Sequence, residues 1–338
     1  MTNLTRTLEI RSSPHILRGH GVDVIMFNVI LALIPATAFA VYAFGLSGLF
    51  TLVVALVSCL LTEQLFTRTR GKSSSLRDGS VAITGLLYGL TLPPGLPLWM
   101  VAVGGFLGVA IGKILFGGLG NNAFNPALVG RAILQAAFPA AMTTWTPAFA
   151  SNRFSALTPS TLTPPFTEPV VDAITTATPL AAWKFGHELM GTKELLTGTV
   201  SGSTGETSAV LILIGGAYLI ARNMMNWRIP VSILGTVIVF SGVLHLTNPE
   251  NYASPVFMLF SGGLMLGAMF MATDMVGSPI THRGVLIYGI VIGLMIVVIR
   301  VWGGMPEGVM YAILFGNAIS PLLDRAIRPR VFGTGGRA

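Results

Sequence analysis

Stretches of about twenty apolar residues recur along this chain, and twenty is the number an α-helix needs to cross the hydrocarbon core of a bilayer. Backbone N–H and C=O groups cannot be left bare in lipid, so runs of this kind fold as helices. The pattern predicts an all-α polytopic membrane protein with ten spans, near 23–45, 46–66, 80–96, 97–116, 124–141, 206–221, 229–247, 254–272, 284–302 and 309–324. Only 10% of the residues are charged, against about 25% in a soluble domain. Several spans are short and rich in Gly or Pro (SVAITGLLYGLTLPPG, GGLGNNAFNPALVGRAIL, SPVFMLFSGGLMLGAMFMATD), the mark of broken helices whose freed backbone groups face a cavity or ligand.

The positive-inside rule orients the spans. With the N-terminus inside, the inner segments hold three bases before the first span, four in TRTRGKSSSLRDG, two in ARNMMNWR, Arg283, and four in the tail, which makes 14 of the 20. The outer segments hold Arg153, Lys184 and Lys193, while Lys113, Arg131 and Arg300 fall at or within spans. Both termini are therefore expected in the cytoplasm. Topology accounts for the net charge of +7, and no nucleic-acid partner is implied. The expected organisation is an inner segment 1–22, a first membrane half 23–141, an outer loop 142–205, a second half 206–324 and an inner tail 325–338. Five spans per half would make the halves inverted repeats, with a faint echo between NAFNPALVGRA at 122–132 and NAISPLLDRA at 317–326.

Several chemistries are excluded. GVAIGKI lacks the upstream glycine and the Ser or Thr of a phosphate-binding loop. The five histidines show no metal-ligand spacing, and the one cysteine, Cys59, lies in an apolar run, so no metal site is expected. The first 21 residues are polar and no small-residue cleavage site follows the first apolar run, so no cleaved leader is expected.

The outer loop carries the distinctive chemistry, with fourteen threonines and six prolines in 64 residues. Within it stands Asp172-Ala173-Ile174-Thr175-Thr176-Ala177-Thr178-Pro179, where Pro179 biases Thr178 toward an extended, accessible backbone. VDAITTATPL resembles the covalent-flavin acceptor signature of a family that includes the RnfD component of the Rnf electron-transport complex and the NqrB component of the sodium-pumping NADH:quinone reductase. That signature reads Asp, two residues, Ser or Thr, Gly, Ala, then the acceptor Thr. GGLGNNAFNPALVGRA, SGSTGETS, MATDMVGSPIT and PEGVMYAILFGNAISPLLDR follow the family pattern in the same order, over nearly the whole chain. Thr176 stands where the signature has glycine, leaving Thr175, Thr176 and Thr178 as acceptors; position in the motif selects Thr178, with Asp172 as the recognition acid for a flavin transferase.

The resemblance implies FMN joined to threonine by a phosphoester, a second, non-covalent riboflavin, and an architecture similar to urea transporters. It further implies electron transfer coupled to Na+ or H+ movement in a bacterial inner-membrane complex of the ferredoxin:NAD+ oxidoreductase type, with the A, B, C, E and G components of that complex as partners. A quinone-reductase assembly is the nearer alternative, a solute channel or secondary transporter without a redox cofactor the more distant one. SGSTGETS at 201–208 is a second candidate contact for the flavin, through Gly202, Ser203, Glu206 and Thr207, because a helix start attracts an anion. Acids in a membrane are costly, so Asp274 and Glu307 are candidates for an ion or redox path, and Asn125 with Arg131 for lining a cofactor site.

Overall fold

The first apolar stretch forms one element, α1 (Val22–Thr69), in a computed structural model that describes residues 21–69, 75–165, 167, 177–187, 190–206 and 208–328. Asp172, Thr175, Thr176 and Thr207 lie outside the described residues, as do most of the two terminal segments. A straight 48-residue helix would be about 72 Å long, more than twice the roughly 30 Å hydrocarbon core. Gly45 divides it into two span-length halves, with φ 63° and ψ −137°, a combination essentially reserved for glycine. The chain then doubles back: Gly79, beyond the second half, abuts Met26 and Ile30 of the first.

The outer-loop segment 149–153 is pinned on this break. Leu46 N donates to Arg153 O and Phe149 N to Ala43 O, both at 2.9 Å. A Cβ on Gly45 would collide with the Arg153 carbonyl. Gly45→Ala is therefore expected to cost about 2–4 kcal/mol, from the positive φ and the steric clash together. The thermal midpoint in detergent checks this, and an unchanged midpoint would show that the pinned segment yields freely.

The apolar runs that follow give α2 (Ser80–Leu90), α3 (Leu98–Val109) running into a π-helical turn (Ala110–Ile114), α4 (Pro126–Ala137) and the short α5 (Pro139–Met142). Pro93, Pro94 and Pro97 cannot donate to a helix, and α2 stops ahead of them. Asn125 starts α4 as its N-cap, accepting from Ala127 N at 3.0 Å, with Pro126 in the first turn. Gly108 lets α3 approach α4 closely: a Cβ there would stand 2.9 Å from Gly130 Cα.

The polar stretch contains α6 (Pro179–Gly186) and α7 (Thr192–Thr197). After it come α8 (Ala209–Ala221), α9 (Arg228–Thr247), α10 (Pro255–Phe260), α11 (Leu264–Leu266) entering a second π-helical turn (Gly267–Met271), α12 (His282–Trp302) and α13 (Val309–Ala326). The expected span 254–272 is thus broken at Ser261–Gly263, with Gly262 at φ 65°. Helix α3 packs on α4, α9 on α12, and α12 on α13.

Among the described residues every helix and turn belongs to an all-α fold, and α1, α9 and α12 are long and apolar enough to cross a membrane. Large apolar side chains lie on the outside, including Phe27, Ile34 and Leu61 of α1 and Val239 and Leu246 of α9, while Lys113, Arg131 and Arg300 are buried. A protein with oil outside and charge inside is embedded in a membrane.

Candidate functional site

Thr178 is the N-cap of α6. Its extended backbone (φ −67°, ψ 155°) follows from Pro179, and its hydroxyl accepts from Ala181 N at 3.2 Å. The residue is 8% exposed, so the accessible threonine expected from the sequence is a buried helix cap instead. Its neighbours Ala177 and Ala181 form part of the wall of a cavity of about 450 Å³. Trp145, Phe185 and Tyr311 supply aromatic wall, Met305 and Met310 apolar wall, and Arg131 and Glu307 charge. Lys184, on the same short helix, donates to the carbonyls of Arg300 (2.9 Å), Gly303 and Met305 (3.1 Å). One ammonium thus holds α6 against the end of α12, and burial lowers its pKa from the usual lysine value.

Beneath this cavity lies a buried charge network. Arg131 Nη2 meets Glu307 Oε2 at 3.3 Å and Nη1 faces Glu206 Oε1 at 3.9 Å. Glu307 Oε1 accepts from Gly263 N at 2.6 Å, which ties the acid to the break between α10 and α11. Arg300, fully buried, donates to Ser261 O at 2.8 Å and to Met258 O, so it serves the carbonyls freed where α10 ends.

A second cavity, of about 110 Å³, lies at the other ends of these helices, bordered by Ser80, Lys113, Asn122, Asn125 and Asp274. Asn122 Nδ2 donates to Asp274 Oδ2 and Asn125 Nδ2 to Met271 O, both at 3.3 Å. Lys113 Nζ is bound by Glu63 at 2.8 and 3.1 Å and by Ser80 Oγ at 2.8 Å.

The candidate residues therefore divide into three groups. Arg131 and Glu307 reach the cavity beside Thr178; Ser203 and Glu206 lie just below it, around Arg131, with Gly202 against the Glu206 carboxylate. Asn125 and Asp274 belong to the other cavity, so Asn125 and Arg131, six residues apart on one motif, serve different sites. Within SGSTGETS, Thr204 turns away to the Gly89 and Leu92 carbonyls, and Ser208 caps α8 by accepting from Leu211 N at 3.4 Å. Sequence reasoning assigned no role to Asn122, Trp145, Lys184 or Tyr311, and placed Glu63 only among the acids close to the membrane. The signal for Glu63 was present as an acid inside an apolar run, but its partner lies 50 positions away.

Residues 9–333 match the model of the NQR2, RnfD, RnfE family. The chain is 42% identical to the D component of the proton-translocating ferredoxin:NAD(+) oxidoreductase complex of Clostridium ljungdahlii, over 96% of each chain. It is 41% identical to the D component of the Na(+)-translocating ferredoxin:NAD(+) oxidoreductase complex of Acetobacterium woodii, over 96% of this chain and 95% of that one. With the D component of the ion-translocating oxidoreductase complex of Aeromonas hydrophila the identity is 38%, over 96% and 98%. Matched along nearly its full length, this membrane-embedded all-α chain belongs to the NQR2, RnfD, RnfE family.

Proposed function

We propose that this chain is the membrane subunit of an ion-translocating ferredoxin:NAD+ oxidoreductase complex in the bacterial cytoplasmic membrane, and that it carries FMN on Thr178. The observation that carries the flavin reading is the cavity of about 450 Å³ walled by Ala177 and Ala181 on either side of Thr178, a volume within the usual range for a cofactor site. The residues present suit the group. Thr178 Oγ1 is the attachment oxygen, the start of α6 favours the phosphate's charge, and Trp145, Phe185 and Tyr311 offer aromatic faces to a planar ring.

A flavin held this way supplies one- and two-electron transfer, and linkage through the phosphate leaves its ring free. The chain's own residues do the rest. Tethering keeps the group at an effective concentration of order mM, Met305 and Met310 offer apolar contact, and Arg131 places a positive charge in the wall. Lys184 holds the acceptor helix in register with that wall.

We further propose ten crossings, formed by the two halves of α1, α2, α3, α4, α8, α9, α10 with α11, α12 and α13, with both termini cytoplasmic and the Thr178 loop outside. Two inverted five-helix repeats, and with them the likeness to urea transporters, are supported by matched packing. The α3–α4 pair corresponds to α12–α13, and α1 with α3 to α9 with α12. Each repeat also buries one cation toward the end of its fourth helix, Lys113 and Arg300. Partners are the other members of the complex and a flavin transferase. A solute channel would have no use for an acceptor threonine whose neighbours, Ala177 and Ala181, wall a cavity.

The test is ultraviolet fluorescence of the SDS-denatured chain, expressed with a flavin transferase. A fluorescent band is expected; a dark band would sink the covalent-flavin reading. In vesicles of the intact complex, ion uptake should fall to background when the flavin is missing.

A further inference from the structure

Arg153 stands among aromatic rings at the surface of this chain. Its guanidinium carbon lies 4.9 Å from the ring centre of Phe154, 5.3 Å from that of Tyr42 and 5.5 Å from that of Phe149. The rings support one another: Tyr42 and Phe149 meet edge to face at 5.7 Å, and Phe39 packs on both. Phe149 holds a left-handed backbone, φ 59°, an outlier for a bulky residue. The bond from its N–H to Ala43 O keeps it there, and that conformation places its ring beside the arginine.

The guanidinium is only partly engaged. Nε donates to Tyr42 O at 2.9 Å and Nη1 to Ala150 O at 3.2 Å, while Nη2 donates to nothing among the described residues. Lys113 and Arg131 meet carboxylates, but among the described residues no acid lies within ion-pairing distance of Arg153. Position indicates what supplies the missing negative charge. Gly45 separates two span-length halves of α1, so the turn between them lies at a membrane surface whichever way the chain is inserted. Arg153 O is bonded to Leu46 N, and Tyr42 lies three residues before the glycine, so the arginine sits at that turn. Tyr42 is 55% and Phe154 54% exposed. Exposed amphipathic rings collect at the level of the lipid headgroups, and phosphate is the anion of that level.

We propose that Arg153, framed by Tyr42, Phe149 and Phe154, binds the phosphate of one phospholipid headgroup. Nη2 supplies N–H donors to a phosphate oxygen, the rings hold the guanidinium plane in place from its faces and edges, and their exposed sides take the apolar part of the lipid. The bound lipid braces the start of the outer loop against α1. That stretch is already seated there, with Thr158 N donating to Ser47 Oγ at 3.0 Å and Ser160 Oγ to Gly95 O at 2.7 Å.

The test is retention of phosphatidylglycerol by the purified complex, followed by native mass spectrometry as the lipid is titrated into detergent micelles. The unaltered complex should retain one phosphatidylglycerol that the Arg153→Gln complex binds about five- to tenfold more weakly. Arg153→Lys keeps the charge but not the planar fork and should fall between the two. Phe154→Ala removes an exposed ring and should weaken the same lipid several-fold, which covers the case of an Arg153 variant that does not assemble. The diacylglycerol with the same acyl chains should not occupy the site, and inorganic phosphate should not displace the lipid. Retention unchanged by both Arg153→Gln and Phe154→Ala overturns the site. Equal retention of the diacylglycerol also overturns it, leaving an apolar patch only, and displacement by inorganic phosphate overturns the lipid as its occupant.

Discussion

Thr178→Ala is expected to bring the in-gel flavin fluorescence of this chain to background, while Thr176→Ala leaves it in place. Attachment needs a hydroxyl that a modifying enzyme can reach and from which the flavin can enter its cavity. Thr178 meets the second demand, because the residues flanking it form the cavity wall. The same hydroxyl caps α6, and losing a cap costs about 1 kcal/mol, too little to unfold the chain. Thr178→Ser retains both the hydroxyl and the cap and should remain fluorescent. Fluorescence that disappears with Thr176 and persists with Thr178→Ala would move the attachment site into the part of the loop that lies outside the described residues.

Lys113→Met is expected to destabilise the protein by about 3–5 kcal/mol, the usual cost of removing one member of a buried ion pair. Lys113 and Glu63 are each 3% exposed. The ammonium is bound by both carboxylate oxygens and by Ser80 Oγ, which in turn donates to Asp78 at 2.7 Å. Removing the lysine takes the counter-charge from an acid in low dielectric, at the point where α1, α2 and α3 meet. Replacing both partners, as Glu63→Leu with Lys113→Met, should restore most of the loss, since an apolar pair has no charge to desolvate. Thermal midpoints of the two single variants and the double variant in detergent give the coupling directly. A double variant as unstable as the sum of the singles would show that the pair contributes nothing as a pair.

The helices and their interruptions were legible because their causes are local. Apolar runs of span length, the prolines after Thr91, the Asn125-Pro126 start of α4 and the glycines of SGG each act within a few residues, and the breaks fall there. Thr178 was legible as an extended residue before proline. The charge network was not. Lys113 and Glu63 are 50 positions apart, Asn122 and Asp274 152, and Arg131 and Glu307 176. Nothing near Arg131 in the chain distinguishes it from Asn125, yet the two side chains face different cavities. Sequence alone determined that this chain must be a bundle of interrupted helices in a membrane, because bilayer thickness and backbone hydrogen bonding act on consecutive residues. Only the tertiary structure decided which buried charges share a site, because charges are paired in lipid by proximity across the bundle, and proximity between distant segments is set by how the helices pack.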